Sequence, residues 1–186
     1  MSTTTQNKLK SQYGGITLEG RPHALSAWFV VLLRLTMGGA FLGAGLGKLA
    51  IFSGDSFNAA GYLMGSEGPV AGLYASMAAN PALMDVVNVV VPATQILIGL
   101  ALITGAFVRL AALGGAMQMS MFYLGSWDVA GPIGFVNSDF VYLMVFLAIG
   151  AFGAGRILGL DRYIEQLEVG GQALIERYPK LRYVLG

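Results

Sequence analysis

The chain has 186 residues, 55% of them hydrophobic and only 11% charged, with a formal net charge of +1. So apolar a composition excludes an ordinary soluble domain, which could not clothe that core in polar residues, and points instead to packed membrane helices. The near-neutral charge excludes nucleic acid as a partner, since phosphate binding needs a concentrated basic surface. The absence of cysteine excludes thiolate chemistry and iron–sulfur ligation by this polypeptide.

Residues 1–26 are polar and lack the short apolar core and small-residue cleavage site of a signal peptide, so they read as a cytoplasmic N-terminal tail. The single histidine, His23, lies in this tail. A pair of histidine ligands for haem is therefore ruled out, and no paired His-Glu metal motif is present, so neither haem nor metal is expected. The first apolar run, 27–52, is long enough to span a bilayer with some tilt and carries two cations, Arg34 and Lys48. With Gly38, Phe41 and Gly45 they recur at spacings of three and four, which places all five on one helical stripe facing into a bundle. An outer loop, 53–85, follows. It contains two apolar pieces too short to cross, divided by GSEGP, which predict short helices at the interface or over the bundle mouth.

Further spans are predicted at 86–107, 110–127 and 140–160, the second and third joined by a tight turn. The second outer loop, 128–139, is punctuated by Gly and Pro and reads as a lid. Residues 161–186 form an amphipathic tail with two short helices broken at Gly170-Gly171, suited to the inner membrane surface. The expected fold is thus an all-α integral membrane four-helix bundle. Lys8, Lys10, Arg21, Arg109, Arg156, Arg162, Arg177, Lys180 and Arg182 fall on one side of it, while the opposite loops hold Asp55, Glu67, Asp85, Asp128 and Asp139. Short loops rich in Lys and Arg stay cytoplasmic. Both termini are therefore expected inside the cell, with the chain a multi-pass protein of the plasma membrane.

Charged side chains within a span are costly and usually face the protein interior with a partner. Lys48 either snorkels or pairs structurally with Asp55, Asp85 or Asp139, or else lines a ligand-accessible cavity. Arg34 is either a structural anchor or a contact to a lipid head group or a quinone carbonyl. Gln95, near the middle of the second span, favours an interhelical hydrogen bond, and Gln118 in the third is a candidate partner. Tyr123 and Trp127 lie one turn apart beside the outer lid, in the position of interfacial belt residues or of a platform for a planar ring.

Three segments resemble the DoxX family: RLTMGGAFLGAGLGKL at 34–49, QILIGLALITGAFVRLAAL at 95–113 and GAGRILGLD at 153–161. They occur in the family's order, and the long outer loop is closest to archaeal members of the DoxX/DoxD superfamily. The resemblance implies a four-span membrane protein in a superfamily that includes the membrane subunit of a thiosulfate:quinone oxidoreductase. It implies quinone as the cofactor and a quinone-facing role for Arg34, Lys48 and Arg109. Many relatives carry an acid early in the second-span block where this chain has Gln95, and an amide does not titrate. Together Arg34, Lys48, Gln95, Arg109, Tyr123 and Trp127 make the candidate quinone-binding set, with a lateral or outer cavity lined by Arg34, Lys48 and Tyr123. The partners expected are the lipid bilayer and a further subunit or a second copy. The competing readings are a non-catalytic accessory or scaffold subunit of a larger membrane complex and, last, a small transporter.

Overall fold

The computed structural model describes residues 9–13, 15–127, 134–168 and 170–186. It is mostly helical. Helix α1 covers Ser26–Leu46, three short helices follow (α2 Ala50–Ser53, α3 Ala60–Met64, α4 Ala71–Ala78), and α5 covers Pro81–Thr104, α6 Val108–Gly125 and α7 Ser138–Ala151. A 3-10 turn at Ala154–Arg156 leads to α8 (Asp161–Gln166) and α9 (Leu174–Arg177), and a second 3-10 segment covers Pro179–Tyr183. Helices α1 and α5 are long and apolar enough to cross a membrane, whereas α7 is apolar but only 14 residues long.

Two local features differ from expectation. The polar N-terminal tail contains an antiparallel hairpin, β1 (Leu9–Tyr13) with β2 (Ile16–Gly20), in which Lys10 pairs in register with Glu19 and bridges it at 3.1 Å. Both side chains are exposed, so this ion pair adds well under ~1 kcal/mol. The first apolar run does not form one helix to residue 52: α1 stops at Leu46, and Leu49, in extended conformation, separates it from α2. Hydropathy does not register this break, because Ile51 and Phe52 continue the apolar run.

Pro81 opens α5 where its missing N–H costs nothing, and the Asn80 side chain accepts from the amides of Ala82 and Leu83, an N-cap that sets the start of the helix. Gly105 (φ +72) closes it in the left-handed conformation a terminal residue needs. The chain then reverses within Gly105–Phe107 and enters α6. Helices α1 and α6 run away from this turn, α5 and α7 toward it. The bundle therefore has a turn end, with residues 105–107 and the C-terminal segment, and a cap end, where α3 and α4 lie.

Two helix pairs are interlocked by missing side chains. A Cβ on Gly99 of α5 would lie 2.5 Å from the backbone nitrogen of Leu42 in α1, and a Cβ on Gly115 of α6 would overlap the Phe146 ring of α7. Such close approach substitutes dispersion contact for the hydrophobic drive that lipid cannot supply. Phe146 also meets Phe41 edge-on at 4.7 Å, tying the two pairs together through a core of Met37, Ile98, Leu102, Ala112, Met119 and Ile149. Helices α5 and α6 meet more sparsely than the members of either interlocked pair.

Candidate functional site

At the turn end Arg34 is 1% exposed. Its guanidinium donates to the carbonyls of Ala154 at 2.6 Å, Ile157 at 3.0 Å and Leu158 at 3.0 Å. These carbonyls belong to the strained connection after α7, where Leu158 itself has φ +51. The planar fork of arginine suits several fixed acceptors at once. A counter-charge lies in the same knot: Asp161, with 0% exposure, accepts from the backbone N–H of Phe107 at 2.6 Å, Val108 at 3.0 Å and Gly186 at 3.0 Å. Phe107 and Val108 open α6, so Asp161 caps that helix from 53 residues away in sequence and places negative charge at the positive end of its dipole. It also holds Phe107 in the left-handed conformation (φ +53) that a bulky residue rarely adopts. Arg109 donates to the carbonyl of Arg182 at 2.6 Å, and Leu110 N–H donates to the carbonyl of Val184, which docks the C-terminal segment against the start of α6.

Midway along the bundle α5 and α6 each carry one buried or half-buried amide, Gln95 and Gln118. Gln95 is 3% exposed, and both its Oε1 and that of Gln118 are enclosed without a hydrogen-bond partner. Gln95 is ten residues before Gly105 and Gln118 eleven after Phe107, so at ~1.5 Å of rise per residue both stand roughly 15 Å from the turn, at about half the hydrocarbon thickness of a bilayer. On the outer surface of the same seam runs a groove of about 430 Å³, lined by Thr94, Leu97, Ile98, Ala101, Phe107, Leu110, Ala111 and Gly114. Residues 107, 110, 114 and 118 follow one another at helical spacing, so Gln118 continues the groove's α6 wall one turn beyond Gly114. Thr94 ends the α5 wall beside Gln95, its hydroxyl satisfied by the carbonyl of Val90.

At the cap end the last carbonyls of α6 are taken by two phenols: Tyr62 of α3 donates to Phe122 at 3.0 Å and Tyr74 of α4 to Met121 at 2.9 Å. Burial, followed by the neighbouring Tyr74 and Asp139, pushes the Tyr62 phenol up to about 12, and burial raises Tyr74 as well. The cap also reaches α5, where Asn88 Oδ1 accepts from Ala59 N–H and Met84 packs on Leu63 and Tyr74. The Tyr123 and Trp127 rings meet at 5.2 Å, tilted by 60°, with Phe140 5.5 Å from Tyr123, whose hydroxyl donates to the carbonyl of Phe135. Lys48 donates to the carbonyl of Ala44 at 3.1 Å and lies over the Phe57 ring. Asp139, one of the anions weighed as its partner, accepts from the Ser126 hydroxyl at 2.7 Å. The expected lid falls largely on residues 128–133, outside the described residues.

The six candidate residues do not converge. Arg34 and Arg109 are at the turn end, Gln95 in the middle, and Lys48, Tyr123 and Trp127 at the cap end. Arg34 and Lys48 are fourteen residues apart on one stripe, ~21 Å, so no single small-molecule cavity holds both. The cavity expected from Arg34, Lys48 and Tyr123 is thus replaced by the α5–α6 groove, which none of them lines. Asp161, Tyr62 and Tyr74 did not figure among the candidates. Their partners are backbone groups distant in sequence, and no local pattern announces such pairing. Among the described residues no cluster of His, Asp and Glu could hold a metal ion.

No curated protein and no solved structure matches the chain. A family model does: DoxX, over residues 29–125. That stretch begins in α1 and ends with α6, and it takes in the interlocked α1–α5 pair, the cap, the tight turn and the whole α5–α6 seam. Since it covers just over half of the sequence and includes two helices fit to cross a bilayer, this chain is a membrane protein belonging to the DoxX family.

Proposed function

We propose that the chain is a four-span protein of the plasma membrane with both ends cytoplasmic, and that it serves as the quinone-interacting subunit of a membrane oxidoreductase of the thiosulfate:quinone type. The single observation that carries the quinone reading is the lateral groove between α5 and α6, apolar along its length, with Gln95 next in sequence to Thr94 of its lining and Gln118 one helical turn past Gly114. A lipid-soluble ring on an apolar tail fits such a slot: the tail lies along Leu97, Ala101, Phe107 and Leu110, and the ring reaches Gln118 and Gln95. Pockets of ~300–1,000 Å³ with few, well-placed polar groups are the usual form of small-molecule sites. When bound, the quinone supplies the electron-accepting chemistry, for which this chain has no group of its own. The protein contributes position and hydrogen bonding.

The orientation rests on Arg109, Arg156, Arg162, Arg177, Lys180 and Arg182, all at or beyond the turn end, against Asp55, Glu67, Asp85 and Asp139 at the cap end. Helix α7 is short for a span, and the connection through Ala154–Arg156 extends it. With no cysteine in the polypeptide and no metal-holding cluster among the described residues, oxidation of a sulfur compound at the cap side is assigned to a partner subunit.

A second reading, an accessory or scaffold subunit, is favoured by one observation. The cations Arg34 and Arg109 are already engaged by backbone carbonyls, which makes them structural parts and not ligand contacts. Mass spectrometry of lipids extracted from protein purified in mild detergent separates the two readings. Stoichiometric quinone, reduced in Gln118→Met and unchanged in Lys48→Ala, is the expected result. Protein free of quinone that copurifies with a stable partner supports the scaffold instead.

A further inference from the structure

The C-terminal segment is held to the bundle by its backbone, which leaves several of its side chains facing outward. Arg109 donates to the carbonyl of Arg182, Leu110 N–H to that of Val184 and Gly155 N–H to that of Gly186, while Asp161 accepts from Gly186 N–H. Leu185 is fully buried, so the segment is seated against the start of α6. Within the 3-10 segment Pro179–Tyr183, side chains three residues apart eclipse. Leu181 takes the half-buried side; Lys180 with Tyr183, and Arg182 with Pro179, take the two exposed ones. Residues 177–186 contain no Asp or Glu. Neither Lys180 nor Arg182 meets an acid among the described residues, and Asp161, which touches the segment, is buried and engaged by backbone amides.

The register of α1 on α5 sets the level of this face. Gly38 of α1 faces Gly99 and Ile103 of α5, and Gly45 faces Pro92 and Ile96, an antiparallel register that brings Gly105 beside Arg34. Residues 26–33 of α1 therefore run ~12 Å past the Gly105 turn. They carry exposed Trp28 and Phe29, and Tyr178 and Tyr183 are exposed at the same end. Such rings collect where hydrocarbon meets head groups, and long cationic side chains beside them reach outward to the polar layer.

We propose that the acid-free face around Lys180 and Arg182 is a docking surface for anionic phospholipid, with the two cations on the head group and the Tyr178 and Tyr183 rings in the boundary layer. The occupant follows from charge and place: the face is cationic and lies by the first turn of α6, in a chain with bilayer-crossing helices. A soluble acidic partner has no use for exposed rings at that level. The proposal is independent of the quinone reading, since none of these residues lines the α5–α6 groove.

The test is native mass spectrometry of the full chain in mild detergent, titrated with dioleoyl phosphatidylglycerol and, separately, with dioleoyl phosphatidylcholine. Each cation near such a surface gives about a fivefold gain for a net-negative lipid, so two give a preference of about 25-fold for phosphatidylglycerol. Lys180→Gln combined with Arg182→Gln brings the two affinities to within about twofold, since the attraction is lost. Lys180→Arg keeps the preference, as does Lys48→Gln at the cap end. Tyr183→Ala weakens both lipids alike, because a buried ring does not sense head-group charge. Thermal melts of the same samples certify that the variants are folded. Equal affinity of the wild type for the two lipids overturns the proposal, and so does a preference that survives the double substitution. Displacement of phosphatidylglycerol by millimolar inorganic phosphate means a site for free anions and overturns it as well.

Discussion

Arg34 and Asp161 hold the same connection from opposite sides. The guanidinium of Arg34 takes the carbonyls of Ala154, Ile157 and Leu158, and the carboxylate of Asp161 takes the N–H groups of Phe107, Val108 and Gly186. Gly159 fits between them, its missing Cβ leaving room for the Arg34 guanidinium beside Gly105. Two buried charges, each bonded to three backbone groups, thereby fasten α1 to the connection after α7 and the start of α8 to the start of α6.

Asp161→Ala leaves three N–H groups without an acceptor and removes the cap of α6, so it is expected to cost at least ~3 kcal/mol, seen as a lowered melting temperature in detergent. Arg34→Met also destabilises, and a double-mutant cycle with Asp161→Asn should give a coupling of roughly 0.5–3 kcal/mol. Strict additivity of the two would show that the charges act as separate anchors.

Gly115→Ala places a methyl group inside the Phe146 ring, and Gly99→Ala places one against the backbone of Leu42. Both are expected to destabilise by about 1–3 kcal/mol through overpacking. Phe146→Leu should rescue much of the first, because a smaller side chain restores room. Nothing comparable rescues the second, where the obstacle is main chain. Hydrogen exchange along α6 and α1 reads the two outcomes.

Tyr62 docks the cap as a neutral phenol. Its ionisation is pushed from 10.0 up to about 12 in the folded protein, so the contribution of the phenol is fully present below pH ~10 and is lost as the pH rises from there toward 12. Limited proteolysis between Gly54 and Asn80 should therefore accelerate across that window. Tyr62→Phe should bring faster cleavage at neutral pH and a flatter pH profile.

Gln95→Leu replaces an amide whose oxygen is unpaired by an apolar side chain of similar volume. Raised thermal stability, by about 1 kcal/mol, is the expected outcome, measured without ligand. A loss of stability would mean that the amide is engaged in the resting protein and that the carbonyl has a donor after all.

Helices α1 and α5 were visible because the apolar runs that hold them are long enough to cross a bilayer. The Asn80-Pro81 start of α5 and the Gly105 reversal had local signals of their own. The break after Leu46 had none, since it interrupts an unbroken apolar run, and strands LKSQY and ITLEG were hidden in a segment whose polarity matched a tail. The site was less legible still. Gln95 and Gln118 stood out as polar residues in apolar helices, but the hydrogen bond expected between them is not formed at either Oε1. That Arg34 and Arg109 would meet carbonyls, and that Asp161 would cap a helix begun 53 residues earlier, depends on a chain reversal that no spacing encodes.

The seam between α5 and α6 is stitched at both extremities. At one, Leu160 and Asp161 donate to the carbonyls of Thr104 and Gly105 while the Asp161 side chain holds Phe107 and Val108; at the other, the cap links Asn88 and Met84 of α5 to Met121 and Phe122 of α6. A slit fastened at its two tips bows open at its waist, as a buttonhole does. Any parting of α5 from α6 is therefore confined to the middle of the seam, alongside Leu97, Ala101 and Leu110.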